Sequence, residues 1–262
     1  MIARVLTIAG SDSGGGAGIE ADLKTISAFG GYGCTCITGL TAQNTLGVQD
    51  VYPVPASFVE LCMRAVLSDI GVDAIKLGML TNAEIISTVA KNLPPDIPVV
   101  LDPVMVSTSG ASLLPDTAVS MLVHELLAKA TLVTPNLPET AKLTGLAVET
   151  PSQRLAAGQR LLEMGAKAVL VKGGHGHETE LTDLLITPQS VVSFTMPRLI
   201  TRNTHGTGCT MSSAIATGLA QHMTLQDTVH RARNYLQQAI ATAPGIGAGH
   251  GPVNHLSPCH KV

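Results

Sequence analysis

The run Asn203-Thr204-His205-Gly206-Thr207-Gly208-Cys209-Thr210 holds the densest chemistry in this chain. Its two glycines permit a tight turn, because no Cβ obstructs the backbone. The small-residue stretch that follows reads as a helix. Its first N–H groups lack intrahelical partners and carry the positive end of its dipole. Gly206, Thr207, Gly208 and Cys209 therefore form a candidate anion hole for a phosphate or a developing phosphoryl charge. A thiol at Cys209 sits in the same field, which favours a lowered pKa. A glycine-rich loop entering a core helix with a buried Cys accounts for the run equally well, so the rest of the chain must decide.

Phosphoryl transfer also needs a carboxylate-held divalent metal and a group near the acceptor hydroxyl. Asp102 ends the run Val99-Val100-Leu101, and Glu139 lies shortly after Leu132-Val133-Thr134. Taken alone, Asn136-Leu137-Pro138-Glu139 reads as a helix cap with an early Pro. Beside Asp102 and the glycine turn, Glu139 is read as a metal carboxylate. Other familiar signatures break. Gly14, Gly16 and Gly18 miss the dinucleotide spacing because position 19 is Ile, and no P-loop motif occurs. Gly10-Ser11-Asp12-Ser13-Gly14 has Asp where a nucleophile elbow needs Ser. His124-Glu125-Leu126-Leu127-Ala128 lacks a second zinc-binding His, and His175 and His177 have no companion ligands.

The elements that would position these residues alternate between strand and helix. Strands are predicted over 3–9, 34–40, 74–78, 99–101, 132–134 and 168–174. Helices are predicted over 18–30, 56–70, 82–92, 115–128, 152–164, 207–221 and 224–242. In 56–70 the residues Phe58, Leu61, Cys62, Ala65 and Val66 fall at helical spacing. This alternation implies an α/β fold with a mostly parallel sheet, ligands binding off the strands' carboxyl ends. Gly10-Ser11-Asp12, Met79, Asp102 and Asn136 all lie there. Residues 179–195 read as a hairpin around Thr187-Pro188-Gln189-Ser190, which gives the sheet an antiparallel edge. No repeat, low-complexity tract or linker divides the chain. Residues 1–262 are expected to form one domain with an irregular tail from about Pro244.

Composition narrows the partners. The 262 residues carry net charge −3, 2% aromatics and no Trp. No basic stripe and no aromatic platform support nucleic-acid binding. Mean hydropathy is +0.32, yet no window holds the roughly 18 unbroken apolar residues of a membrane span. The N-terminus reads as a first strand instead of a signal peptide. Five Cys, an odd count in a chain of this size, fit a reducing cytoplasm better than a disulfide framework.

Across the whole chain, a set of motifs resembles the hydroxymethylpyrimidine/phosphomethylpyrimidine kinases of thiamine biosynthesis, within the ribokinase-like superfamily. These motifs are Thr7 to Gly18, Ala21 to Thr25, Thr41-Ala42-Gln43-Asn44-Thr45 and Lys76-Leu77-Gly78-Met79-Leu80. They continue through Leu101 to Val106, Thr134-Pro135-Asn136, Val171 to His175, His205 to Thr210 and Gly249 to His255. The resemblance implies a three-layer α/β/α fold. It also implies two successive ATP-dependent phosphorylations, of 4-amino-5-hydroxymethyl-2-methylpyrimidine and then of its monophosphate, with Mg²⁺ as cofactor. A homodimer is the family expectation. Gln43 matches the position that reads the pyrimidine edge, and an amide both donates and accepts as an aminopyrimidine requires. Gly10, Asp12, Met79 and Val104 would line the same pocket, although Met79 also reads as ordinary core. Lys172, Asn136 and Thr207 would lie on the nucleotide side, and Asp102 and Glu139 at the metal. Cys209 stands where sugar kinases of the superfamily carry an Asp base, which implies a thiolate base or a positioning group. A pyridoxal kinase of the same fold is the neighbouring alternative, and a non-catalytic pyrimidine sensor is another. The segment His175 to Glu180 and the tail Ser257 to Val262 match no motif, and Cys259 reads as an exposed tail thiol.

Overall fold

Alternation along the strands decides the architecture. In the first strand Val5 points to one core while Leu6 and Ile8 point to the other; Ala74 and Ile75, and Val99 and Val100, divide in the same way. Strands buried on both faces need helices on both faces. A computed structural model describes residues 1–107, 110–111, 113–175 and 179–256. His177 and Cys259 lie outside the described residues. The strands are β1 (Arg4–Asp12), β2 (Tyr32–Asn44), β3 (Gly47–Pro53), β4 (Ala74–Leu77) and β5 (Val99–Leu101). They continue as β6 (Leu132–Val133), β7 (Val169–Val171), β8 (Glu180–Ile186) and β9 (Val191–Pro197).

The nine strands form one sheet in the order β3-β2-β1-β4-β5-β6-β7-β8-β9. Pairing is parallel from β2 to β7. The predicted hairpin supplies β8 and β9, an antiparallel edge. The opposite edge is antiparallel as well: β2 runs on past residue 40 and returns as β3, a hairpin that periodicity did not reveal.

The helices are α1 (Gly18–Ala28), α2 (Ala56–Ala65), α3 (Ala83–Asn92), α4 (Asp116–Leu126), α5 (Leu137–Thr144), α6 (Pro151–Glu163), α7 (Thr207–Ala220) and α8 (Leu225–Ala241). Residues of α2 to α6 build one core, and α1, α7 and α8 build the other. Local chemistry starts several of them. Asn82 and Thr224 cap α3 and α8 through their side chains, and Thr150 with Gln153 forms a capping box on α6 behind Pro151. The prediction for 56–70 holds in extent, since α2 runs into a π-helical turn over Val66–Ile70. The spacing does not by itself mark the inward face. Ala56, Val59 and Met63 are buried, whereas Phe58 and Leu61 are each 56% exposed. Apolar residues surround this helix on several sides, so spacing alone admits more than one face.

The second core is built largely of small side chains, and α7 is buried along most of its length. A Cβ at Gly218 would come within 2.6 Å of the Thr228 side chain. This glycine thus lets α7 and α8 approach closely. The tail from residue 244 is irregular, as expected, but anchored. It runs as a strap from Pro244 to Leu256, tied by His250 N–H to Thr45 O, Asn254 N–H to Ala239 O and Tyr235 OH to His255 O. Among the described residues no helix is long and apolar enough to cross a membrane.

Candidate active site

Strand ends and the loops after them enclose a cleft of about 730 Å³. Every residue singled out from the sequence lines it: Gly10, Asp12, Gln43, Met79, Asp102, Val104, Asn136, Glu139, Lys172 and the turn from Gly206 to Cys209. Parallel strands place their carboxyl ends on one side of the sheet, which brings together residues up to 200 positions apart.

The glycine turn opens α7. Gly206 takes φ +79 at the N-cap position, with no side-chain cap. The Thr207 hydroxyl donates to Thr204 O at 3.1 Å, and Thr210 N–H closes the first helical bond to Gly206 O at 2.9 Å. The Gly208 and Cys209 N–H groups take no acceptor among the described residues, so both remain available to an anion in the cleft. A Cβ at Gly208 would stand 3.3 Å from Asp102 Oδ2 and 3.4 Å from Lys172 Nζ. The turn, the carboxylate and the ammonium are thus immediate neighbours.

The expected lowering of the Cys209 thiol is not what the structure gives. Burial pushes it up to about 11, and Asp22 and Asp102 push the same way. The Lys76 ammonium and the Gly18 N–H oppose that rise without cancelling it. At neutral pH the ligand-free site therefore holds a thiol.

Asp102 is 2% exposed. Its Oδ1 accepts from Lys172 Nζ at 2.8 Å and from the Thr134 hydroxyl at 3.1 Å. Glu139 forms the capping box on α5 that its sequence context allowed. Its Oε2 accepts Asn136 N–H at 2.7 Å, and its own N–H donates to Asn136 Oδ1 at 2.9 Å. The Asn136 amide oxygen is therefore engaged at the helix start. Burial pushes the Glu139 carboxyl up to about 7, with Asp102 adding to the rise and Lys172 opposing it. Among the described residues, no three His, Cys, Asp or Glu side chains converge as a metal cage. Two hard carboxylates beside an anion turn suit Mg²⁺, which keeps waters and phosphate oxygens as its remaining ligands.

Asp12 lines the cleft, yet its oxygens serve the protein. Oδ1 accepts Gly14 N–H at 2.8 Å. Oδ2 accepts Gly16 N–H at 3.0 Å and Ala17 N–H at 2.9 Å and faces His205 Nε2 at 2.7 Å. Burial alone would raise this carboxyl; His205, the Gln43 amide and Gly14 outweigh it and hold it well below the usual range. The Gln43 backbone is locked to Ser13 through two hydrogen bonds.

The cleft also draws in residues that sequence reasoning passed over, among them Arg198 and Arg233. Arg233 bonds Asp183 and donates to Leu181 O at 3.2 Å, and burial lowers its pKa to about 10. A signal for it existed. Arg233 falls on the apolar face of α8 with Val229, Ala232 and Leu236, where an unpartnered cation has no place.

An anion turn, a buried carboxylate–lysine pair and a deep cleft on a three-layer α/β/α sheet define a small-molecule phosphotransferase of ribokinase-like fold. Comparison narrows the class: a model described as phosphomethylpyrimidine kinase matches residues 12–254, and the chain belongs to that family. A hydroxymethylpyrimidine/phosphomethylpyrimidine kinase from Rhizobium meliloti is 49% identical over 98% of both chains. The thiamine biosynthesis bifunctional protein ThiED from Geobacter sulfurreducens is 49% identical over 98% of this chain, which spans about half (53%) of that protein's length. Among solved structures, the pyridoxal kinase from Staphylococcus aureus in complex with AMP-PCP superposes with TM-score 0.91 at 32% identity, covering 100% of this chain and 96% of that one.

Proposed function

We propose that this chain, as one kinase domain, transfers phosphate from ATP to 4-amino-5-hydroxymethyl-2-methylpyrimidine and then extends the monophosphate to the diphosphate. The reading is carried by one observation: Gln43 and the Gly206–Cys209 turn, whose Gly208 and Cys209 amides take no acceptor among the described residues, line the same cleft. The first suits an aminopyrimidine edge and the second a migrating phosphoryl group. Gly10, Met79 and Val104 supply walls on the pyrimidine side, and Lys172, Asn136 and Thr207 those on the nucleotide side. Lys172 sits within reach of both Asp102 and the turn, so its charge neutralises phosphate oxygens there. Asp102 and Glu139 would hold Mg²⁺, whose chemistry is to offset charge on the transferring phosphate. Cys209 adjoins the acceptor oxygen, where its sulfur orients the hydroxyl or receives its proton once substrate has altered the local field.

A homodimer in the cytoplasm completes the proposal. Leu40 and Tyr52, paired across β2 and β3, are 47% and 66% exposed and offer an apolar surface for a second copy.

Mass spectrometry of products from the hydroxymethylpyrimidine and ATP tests the reading, with both mono- and diphosphate expected. The S. aureus pyridoxal kinase fits the same fold closely, which favours pyridoxal phosphorylation as the second reading. ADP release measured with each vitamer separates the two. Tight pyrimidine binding without transfer would leave only a sensor.

A further inference from the structure

Three chain segments meet at His205. Its ring faces Asp12 Oδ2 at 2.7 Å, the oxygen that also gathers the amides of Gly16 and Ala17. Its backbone N–H donates to Gly251 O of the C-terminal strap at 3.1 Å. Its chain neighbour is Gly206, the corner of the anion turn. A Cβ at Gly206 would fall 1.8 Å from Gly16 O and 3.1 Å from Ala17 Cα. The two glycine loops therefore rest backbone on backbone, and the place of the turn follows from the place of residues 13–17. Asp12 and His205 are 2% and 8% exposed, so water does not weaken the bond between them. With both Asp12 oxygens engaged inside the protein, this carboxylate is poorly suited to reading a substrate.

We propose that His205 is a positioning residue. Through Asp12 it fastens the anion turn to the first glycine loop, so that the Gly208 and Cys209 amides stand where the transferring phosphoryl group passes. The ring Nε2 carries the proton in this arrangement and donates it to the carboxylate. The inference rests on the kinase reading above.

The test compares steady-state kinetics of the wild type, His205→Ala, His205→Gln and His205→Asn, with melting curves for each. Loose seating of transition-state donors costs on the order of 100-fold in rate. His205→Ala is expected to lower kcat by about that factor, with the pyrimidine KM changed less than about threefold. The Gln side chain places its N–H near the Nε2 position and the shorter Asn side chain does not. Thus kcat is expected to recover in His205→Gln and not in His205→Asn, whatever the melting temperatures. Should His205→Ala fail to fold, the order of the Gln and Asn variants decides alone. Equal kcat in those two, or a raised pyrimidine KM at unchanged kcat, overturns the proposal. A wild type that phosphorylates neither the pyrimidine nor its monophosphate overturns the kinase reading, and this proposal with it.

Discussion

Lys76 carries its charge where no water reaches. It is fully buried, with Nζ 3.0 and 2.8 Å from the two Asp22 oxygens, and Thr7 and Ser213 donate to the same carboxylate at 2.5 Å. Removing one partner of such a pair strands the other, at a cost of about 3–5 kcal/mol. Lys76→Met is expected to lose that much in urea unfolding, and Lys76→Met with Asp22→Leu to regain most of it. Cys209 sits close by, and its raised thiol has two consequences. Alkylation of the Cys209 peptide by iodoacetamide should be slow at pH 7 and climb toward pH 11. Cys209→Ala should lower kcat by about 100-fold, the low end for a proton-transfer group, because the resting thiol is not ionised. The sequence pointed to the turn and to the helix field, and both exist. It could not show that Asp22 and Asp102 crowd the same thiol, since their approach depends on the sheet order.

Among the elements, the long parallel framework was legible because buried strands and amphipathic helices have distinct periods. The β2–β3 hairpin was not. Its turn follows Asn44, whose side chain accepts from the Leu46 and Gly47 amides, a local device without an adjacent Asn-Gly signal. Spacing alone did not give the inward face of α2, because exposed Phe58 and Leu61 keep a helical spacing of their own. The strap offers a pH test. His255 is 4% exposed and bonds the Thr210 hydroxyl at 3.0 Å. Burial, with Lys24 assisting, lowers its pKa from 6.5 to about 4. The folded protein thus binds this proton less well than the unfolded chain. The contribution is complete above about pH 6.5 and fades as pH falls toward 4, with a limit of about 3 kcal/mol. Urea midpoints should fall between pH 7 and 4.5, and fall less in His255→Asn.

For the whole molecule, both sheet edges end in antiparallel hairpins, and only one of these was foreseen. The cleft itself was legible as a set of residue types, since strand ends, glycine turns and carboxylates sit at readable places. What the linear order concealed was their mutual service: Asp12 ties loops together, and Glu139 caps a helix while facing the cleft. The exposed Leu40 and Tyr52 carry the assembly proposal. Light scattering is expected to give twice the 27.0 kDa chain mass. Leu40→Asp with Tyr52→Asp should return the single-chain value while leaving kcat within about threefold.

The helix behind the glycine turn has a further consequence for anyone reshaping this enzyme. Apart from Met211, Ile215 and Leu219, α7 bears nothing bulkier than threonine, and Gly218 touches α8 directly. Growth on that wall would press against α8 and shift the helix whose first amides are proposed to hold the phosphate. Laboratory evolution toward a wider acceptor should therefore gather its productive changes around Met79 and Val104, and leave this helix untouched.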